Sequence, residues 1–346
     1  MKQQEIMANS FQRLQYLMII RFLKNWTLPI AILCGMAGYI IYVNIPWLTP
    51  THKAVANCVA WLQPCLIFCM LFITFCEVRP QDLRPHRWQL AMALIQITLS
   101  VILAVMIAHC PSAIWKLFLE GCLLCLICPT ATAAAVVTMK LGGDAATITT
   151  YTIIINIVVA IAIPLLLPIA HPQDNLTFLP AFLTIMAKVF PLLICPFIAA
   201  CIVRYCLPRF HHLCLQFREL AFYLWAISLA LAIAVTCKAI AHSHEPCLGI
   251  TGIAIAALIC CIFQFAIGKA IGGHFHHRLE GGQGLGQKNT VFIIWLGYTF
   301  LSPVTALAGG FYSICHNVVN SYQLYRYRKA SSQEKSVNLD NIQPHN

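Results

Sequence analysis

Long apolar stretches separated by short polar links run through almost the whole chain. About 20 consecutive apolar residues suffice for a helix to cross the hydrocarbon of a bilayer. On that criterion the pattern predicts ten spans, at roughly 27–43, 55–76, 88–108, 114–139, 146–170, 186–206, 219–240, 247–271, 285–301 and 304–326. Residues 178–187 are expected to lie along the membrane interface ahead of the sixth span, with Pro191 and Pro196 bending that span near its start.

Two spans lose their apolar character midway. The fourth reads Cys128-Pro129-Thr130-Ala131-Thr132-Ala133-Ala134-Ala135, and the start of the ninth reads Gly284-Leu285-Gly286-Gln287-Lys288-Asn289-Thr290. A bilayer tolerates an interrupted helix only where the freed N–H and C=O groups face protein or a water-filled cavity. Ten spans divide into five plus five, and an odd number per repeat makes the second enter from the opposite side. The two breaks then fall in the fourth span of each half. Paired breaks of this kind point to the binding site of a carrier.

Composition agrees with the pattern. Hydrophobic residues make up 60% of the chain and charged residues 10%, with a mean hydropathy of +0.78. A soluble domain carries about 25% charged residues, so the chain reads as an all-α polytopic membrane protein with the lipid bilayer as its first partner. The net charge of +11 is spread over short loops without a basic patch interleaved with aromatics, which argues against nucleic acid. Most of the 18 cysteines lie inside apolar runs, among them Cys58, Cys65, Cys69, Cys76, Cys195, Cys201, Cys260 and Cys261, and read as small hydrophobes. Cys122, Cys125 and Cys128 share one helix face, but no histidine stands near to complete a soft-metal site. The pairs His211-His212, His242/His244 and His274/His276-His277 lack metal-ligand spacing and read as solvated loop residues. No metal and no cofactor is expected.

Lysine and arginine in short loops set the orientation. Lys2, Arg13, Arg21 and Lys24 precede the first span. Arg79, Arg84 and Arg87 follow the second, Lys140 the fourth, Arg204, Arg209 and Arg218 the sixth, Lys269 and Arg278 the eighth, and Arg326, Arg328 and Lys329 the tenth. The opposite loops hold Lys53, Lys116 and Lys238. Both termini are therefore expected in the cytoplasm of a multi-pass cell-membrane protein. Residues 1–25 lack a cleavage site after a short apolar run, so the first span reads as an uncleaved anchor. The polar tail from 329 to 346 is expected to be disordered.

Cys128-Pro129, the small residues and Thr132, then Val136-Val137-Thr138 and Gly143-Asp144, resemble the bile acid:sodium symporter superfamily, which carries C-P-G-G-T-A-S-N-V-V-T here. Gly284 to Asn289 resembles that family's E-x-G-x-Q-N segment, and Phe311-Tyr312-Ser313 with His316-Asn317 resembles its F-S-x-x-H-N stretch. Gln96 matches a third-span glutamine. The resemblance implies a core domain at 88–171 and 246–328, in which the broken fourth and ninth helices cross, and a panel domain at 27–76 and 177–240 behind a cytoplasmic segment 1–26. It implies a secondary transporter of small organic anions, bile-salt-like or carboxylate, working by alternating access.

The departures from that family carry the most specific expectation. The resemblance assigns one sodium to positions that here are Ala134, Ala135, Ile148, Thr152 and Gly284, of which only Thr152 keeps a side-chain oxygen. A second sodium would be held at Gly284, at Lys288 where the family has glutamine, at backbone carbonyls and at Gln96. A carboxylate has been lost and an ammonium gained. On this reading transport is sodium-independent and Lys288 stands in place of the bound cation, linked to Gln96 and nearby carbonyls. The competing reading has Lys288 reaching to the interface near Arg278 and Glu280.

The candidate site therefore comprises Lys288, Gln96, Thr130, Thr132, Thr152, Gln287, Asn289, Asn317 and Glu120, with Cys128, Pro129, Gly284 and Gly286 breaking the helices. Glu120 has two readings, a local pair with Lys116 or a proton-carrying carboxylate. Lys188 reads as an interface anchor or a guide for anions, and Asn156, Asn317 and Asn320 as cavity-lining or interhelical groups. Among alternatives, an arsenite-type efflux carrier has its cysteine after the proline, whereas Cys128 precedes Pro129. An enzyme would need converging acids, bases or a nucleophile, and a nontransporting sensor would usually append a soluble output domain.

Overall fold

A computed structural model describes residues 27–78, 81, 83–172, 177–217, 220–242 and 247–340. The expected segment 1–26, the loop residues Arg79 and Arg218, and the end of the tail at 341–346 lie outside the described residues. Among the described residues every regular element is helical. The first half holds α1 (Thr27–Asn44), α2 (His52–Glu77), α3 (Arg87–Ala108), α4 (Ala113–Ile127), α5 (Ala133–Lys140) and α6 (Ala145–Ala170). The second half holds α7 (Phe178–Cys206), α8 (Pro208–Gln216), α9 (Leu220–Ala241), α10 (Cys247–His274), α11 (Arg278–Gly286), α12 (Thr290–Phe300) and α13 (Leu307–Asp340).

Six of these helices are long and apolar enough to cross a membrane on their own. Taking α4 with α5 and α11 with α12 as broken pairs, and setting the short α8 aside, the elements form ten crossing units. This is the polytopic all-α architecture that the hydrophobic pattern predicts, with a break in the fourth unit of each half.

Two expectations are corrected. Residues 178–187 do not form a separate interfacial stretch, because α7 runs unbroken from Phe178 to Cys206 with Pro191 and Pro196 inside it. A proline removes one helical hydrogen bond and bends the helix, and in an apolar medium the remaining ladder is costly to abandon. At the other end α13 continues to Asp340, past residue 329 where the disordered tail is expected to begin. No glycine or proline occurs between Phe311 and Gln343, so nothing in the covalent chain stops the helix earlier.

The ends of the units sort onto two faces. On one, the Asp144 amide after the fourth unit donates to Glu280 Oε1 before the ninth at 2.9 Å, and His277 lies against His86 and Trp88 at the start of the third. Arg204 Nη2 at 2.8 Å and His211 Nε2 at 2.9 Å both reach Cys76 O, so basic groups after the sixth unit meet the last turn of the second. His211 and His277 are thus packed against protein, contrary to their reading as solvated loop residues. Tyr327 packs its hydroxyl against Gly142, whose φ of +82° suits glycine. Every even-numbered exit therefore gathers with the basic loops. Asp144 also caps α6, accepting from the Ala146 amide and the Thr147 hydroxyl. Burial pushes its carboxyl up, but these hydrogen bonds outweigh burial and hold it below the usual range. On the opposite face Glu120, His171 and Thr305 meet, from the fourth unit, the end of the fifth and the link after the ninth.

The helices fall into two sets in mutual contact, and the α6–α7 contact between them is as extensive as the α1–α9 contact within one. Helix α9 lies against α1 and α2, and α2 against α7. Helices α3, α4, α5, α6, α10, α11, α12 and α13 pack among themselves, and α6–α7 and α9–α12 contacts join the two sets. The α10–α11 approach is close, since a Cβ on Gly268 or Gly281 would run into the backbone of the other. Glycine there lets two helices meet main chain to main chain, as at other small-residue interfaces in membranes. That approach holds α11 in place and delivers Lys288 to the centre.

Candidate functional site

Helix α4 ends where Pro129 disfavours helical dihedrals at the residue before it, and Cys128 is extended at φ −66°, ψ 149°. The second break lies between Gly286 and Thr290. The two extended pieces run antiparallel through each other, with Thr130 opposite Lys288. Ala131 N donates to Gln287 O at 2.8 Å and Asn289 N donates to Pro129 O at 2.9 Å. The Thr130 hydroxyl donates to Gly284 O. Asn289 then starts α12, its Oδ1 accepting from Phe292 N at 3.2 Å. Each break thereby supplies hydrogen-bond partners to the other's main chain, which an apolar interior requires.

Lys288 is wholly enclosed, at 0% exposure. Its Nζ donates to Gln96 Oε1 at 2.9 Å and to Leu126 O at 3.2 Å. The amide of Gln96 donates in turn to Ile127 O at 3.0 Å and Cys128 O at 3.1 Å. Three carbonyls in a row at the end of α4 thus find donors in two side chains from other helices. These carbonyls have no partner within their own helix and carry the negative end of its dipole, so an ammonium suits them electrostatically. The interfacial reading of Lys288 is overturned. Its side chain is enclosed and bonded to Gln96 and Leu126 O instead of reaching the surface.

The positions matched to sodium ligands hold other chemistry. Ala134 and Ile148 are fully buried and offer only hydrocarbon, and the Thr152 hydroxyl donates to Ile148 O of its own helix at 3.0 Å. A Cβ on Gly284 would lie 2.9 Å from Tyr151 Cδ1 and 3.2 Å from Met92 Cε. Tyr151 is fully buried beside Trp88, with ring centroids 5.6 Å apart. An aromatic ring thus fills the space next to Gly284.

The structure brings Gln96, Cys128, Pro129, Thr130, Gly284, Gly286, Gln287, Lys288 and Asn289 to the crossing, and leaves the other candidates outside it. Thr132 is half-buried at the start of α5 beside exposed Ala133. Asn317 returns its amide to Ser313 O at 2.7 Å on its own helix. Glu120 is buried two turns into α4, where Thr305 Oγ1 donates to its Oε2 at 2.8 Å and His171 Nε2 stands 3.4 Å from Oε1. Sequence reasoning missed Tyr151 and Met92 beside Gly284, and Gln264 and Gln283 among the buried polar groups. The two glutamines carried a signal, as isolated polar residues in glycine-rich or apolar runs, whereas a tyrosine in an apolar helix carried none.

Inverted five-unit halves whose fourth helices break and cross define a class of membrane transporter folds. The family model of the sodium bile acid symporter family matches residues 64–243, just over half of the chain, and the chain belongs to that family. The matched region contains the first break and ends before the second. No curated protein matches the chain. Family and fold together make it a multi-pass membrane transporter.

Proposed function

We propose that this transporter moves small organic anions by alternating access without sodium, using the Lys288 ammonium as a built-in cation at the helix crossing. The observation that carries the reading is Lys288 Nζ, enclosed and bonded to Gln96 Oε1 and Leu126 O. A sodium ion needs several oxygen ligands close by, and Ala134, Ile148 and Gly284 supply no side-chain oxygen. The ammonium brings the same unit charge on a flexible stem that stays tethered to the protein. The core group of α3–α6 and α10–α13 then rocks against α1, α2, α7 and α9, with the anion bound along the seam. Lys188 supports an anionic substrate, because it is an exposed cation on α7 whose Nζ lies 5.5 Å from the Phe300 ring at the end of α12. The anion would also meet half-helix ends at the crossing, whose N-termini favour negative charge.

The face that gathers the basic loops is the cytoplasmic one on this reading, which puts both termini of a cell-membrane protein inside. An impermeant label applied to sealed cells should leave a tag on the C-terminal tail unmodified, and labelling from outside would invert the orientation. Sodium independence is tested in proteoliposomes with taurocholate and pyruvate as probes of the two anion types. Replacing external Na⁺ by choline should leave the initial uptake rate of whichever anion is carried unchanged. A steep, saturable sodium dependence would overturn the proposal.

A further inference from the structure

One face of α13 is polar along most of its buried length. Tyr312, His316 and Asn320 lie one turn apart and are buried against neighbouring helices, and Gln323 follows half-buried. Gln264 of α10 donates to Tyr312 Oη at 3.0 Å and to Cys125 O at 3.2 Å, while Tyr312 Oη donates to Gly286 O at 2.8 Å. Further along, Gln283 Nε2 donates to Asn320 Oδ1 at 3.1 Å and Gln323 Oε1 at 3.3 Å. His316 sits between, its ring centroid 5.7 Å from that of Tyr312.

These bonds leave half of the polar atoms unserved. Gln264 Oε1, Gln287 Oε1, His316 Nδ1, Gln283 Oε1, Asn320 Nδ2 and Gln323 Nε2 are buried without a hydrogen-bond partner in the protein. Buried polar groups are nearly always partnered, since leaving one bare is costly, and ordered water is the usual partner where several converge. The groups are also collinear. From Tyr312 to Asn320 is about 12 Å along a helix, with His316 halfway. One end lies at half-buried Gln323, one turn before Arg326 and two before Lys329 on the basic face. The other end reaches Cys125 O, whose neighbouring carbonyl, Leu126 O, accepts from Lys288.

We propose that these side chains hold a file of water from the basic face at Gln323 to the helix crossing, and that protons reach and leave the Lys288 amine along it. The proposal rests on the reading of Lys288 as the transporter's own cation and names the proton as the ion that loads it. Each departure breaks one N–H bond of the ammonium, passes the proton to the adjoining water and leaves the electron pair on Nζ. The return step re-forms the bond, and no redox partner is involved. The titratable groups facing Lys288 are the thiols of Cys125 and Cys128 from α4 and its break and Cys260 from α10, with Tyr312 of α13 beyond Gln264. Gln96 from α3 is neutral. In water a lysine amine is well above a thiol in basicity and only slightly above a tyrosine phenolate, and Lys288 is the cationic group among them.

Hydrogen exchange at Nζ reads that proton transfer directly. In full-length protein labelled with ¹⁵N-lysine in nanodiscs, the Lys288 signal is identified by its absence from Lys288→Gln. After transfer to D₂O its Nζ hydrogens should exchange before the first spectrum is complete. His316→Leu with Asn320→Leu should slow the exchange by at least about tenfold, because apolar side chains give water nothing to bond. Nζ hydrogens that persist for hours in the wild type, or a double variant exchanging at the wild-type rate, would overturn the proposal. Should the double variant fail to fold, hydroxyl-radical footprinting of the wild type decides. Water in the file predicts oxidation of buried Tyr312 and His316 well above that of Phe292, equally buried in the apolar core, and equal labelling would overturn it. Neither readout uses transport, so a failed uptake assay and a failed file are told apart.

Discussion

Lys288→Ala is expected to lower the unfolding free energy by about 2–3 kcal/mol and to cut transport at least about tenfold. The alanine leaves Gln96 Oε1 and Leu126 O without their donor in an enclosed site. An unpaired buried acceptor costs about 1–3 kcal/mol, and the end of α4 loses the charge that answers its dipole. Removing a desolvated ammonium offsets part of this, because replacing buried ions by apolar groups is often neutral or better. Lys288→Met separates the contributions. It fills most of the volume, so any stability it regains over alanine reports the cavity, while both variants share the loss of donor and charge. Thermal unfolding in nanodiscs followed by tryptophan fluorescence measures the first quantity, and anion uptake into proteoliposomes the second. If the alanine variant transports at the wild-type rate, Lys288 is a packing residue and the built-in cation is wrong.

Restoring the family's residues as a pair, Gly284→Glu with Lys288→Gln, is expected to damage the protein rather than make it use sodium. The new Cβ would stand 2.9 Å from Tyr151 Cδ1. That ring is fully buried against Trp88 and cannot swing away. Overpacking of this sort costs about 1–3 kcal/mol, and the added carboxylate would be buried beside an aromatic face. Adding Tyr151→Ser clears the space and leaves a glutamate, two glutamines and the break carbonyls together. The triple variant should melt at higher temperature in NaCl than in KCl, where the double variant and the wild type should not. A double variant as stable as the wild type would mean that Tyr151 does not occupy the site. A triple variant indifferent to sodium would mean that Ala134, Ala135 and Ile148 decide the matter instead.

The membrane character, the ten crossing units, and the position of both helix breaks were legible in the sequence, because each depends on local composition. A bilayer imposes one length on every span and forbids unpartnered main chain, so apolar runs and their interruptions map directly onto structure. The family motif around Cys128-Pro129 was legible for a related reason, as a proline disfavours helical dihedrals at the residue before it. Lys288 stood out as a charge in an apolar setting, and its Nζ lies 2.9 Å from Gln96 Oε1.

Other features depended on which face of a helix meets which neighbour. Tyr151 and Met92 beside Gly284, the polar face of α13 against Gln264 and Gln283, and the meeting of Glu120 with Thr305 and His171 bring together residues far apart in the chain. A helix that is apolar all round has no polar stripe to mark its lipid-facing side, so its composition shows where it spans but not how it is rotated. The continuity of α7 through two prolines was hidden for a similar reason: a proline's cost is local, whereas the ladder it interrupts is held by packing along the whole helix. What the sequence by itself determined here was the set of spans, their breaks and the unusual charge among them. The tertiary structure alone decided that this charge is enclosed, which carbonyls it serves, and that a tyrosine ring lies beside Gly284, because those facts are set by helix rotation and interhelical contact.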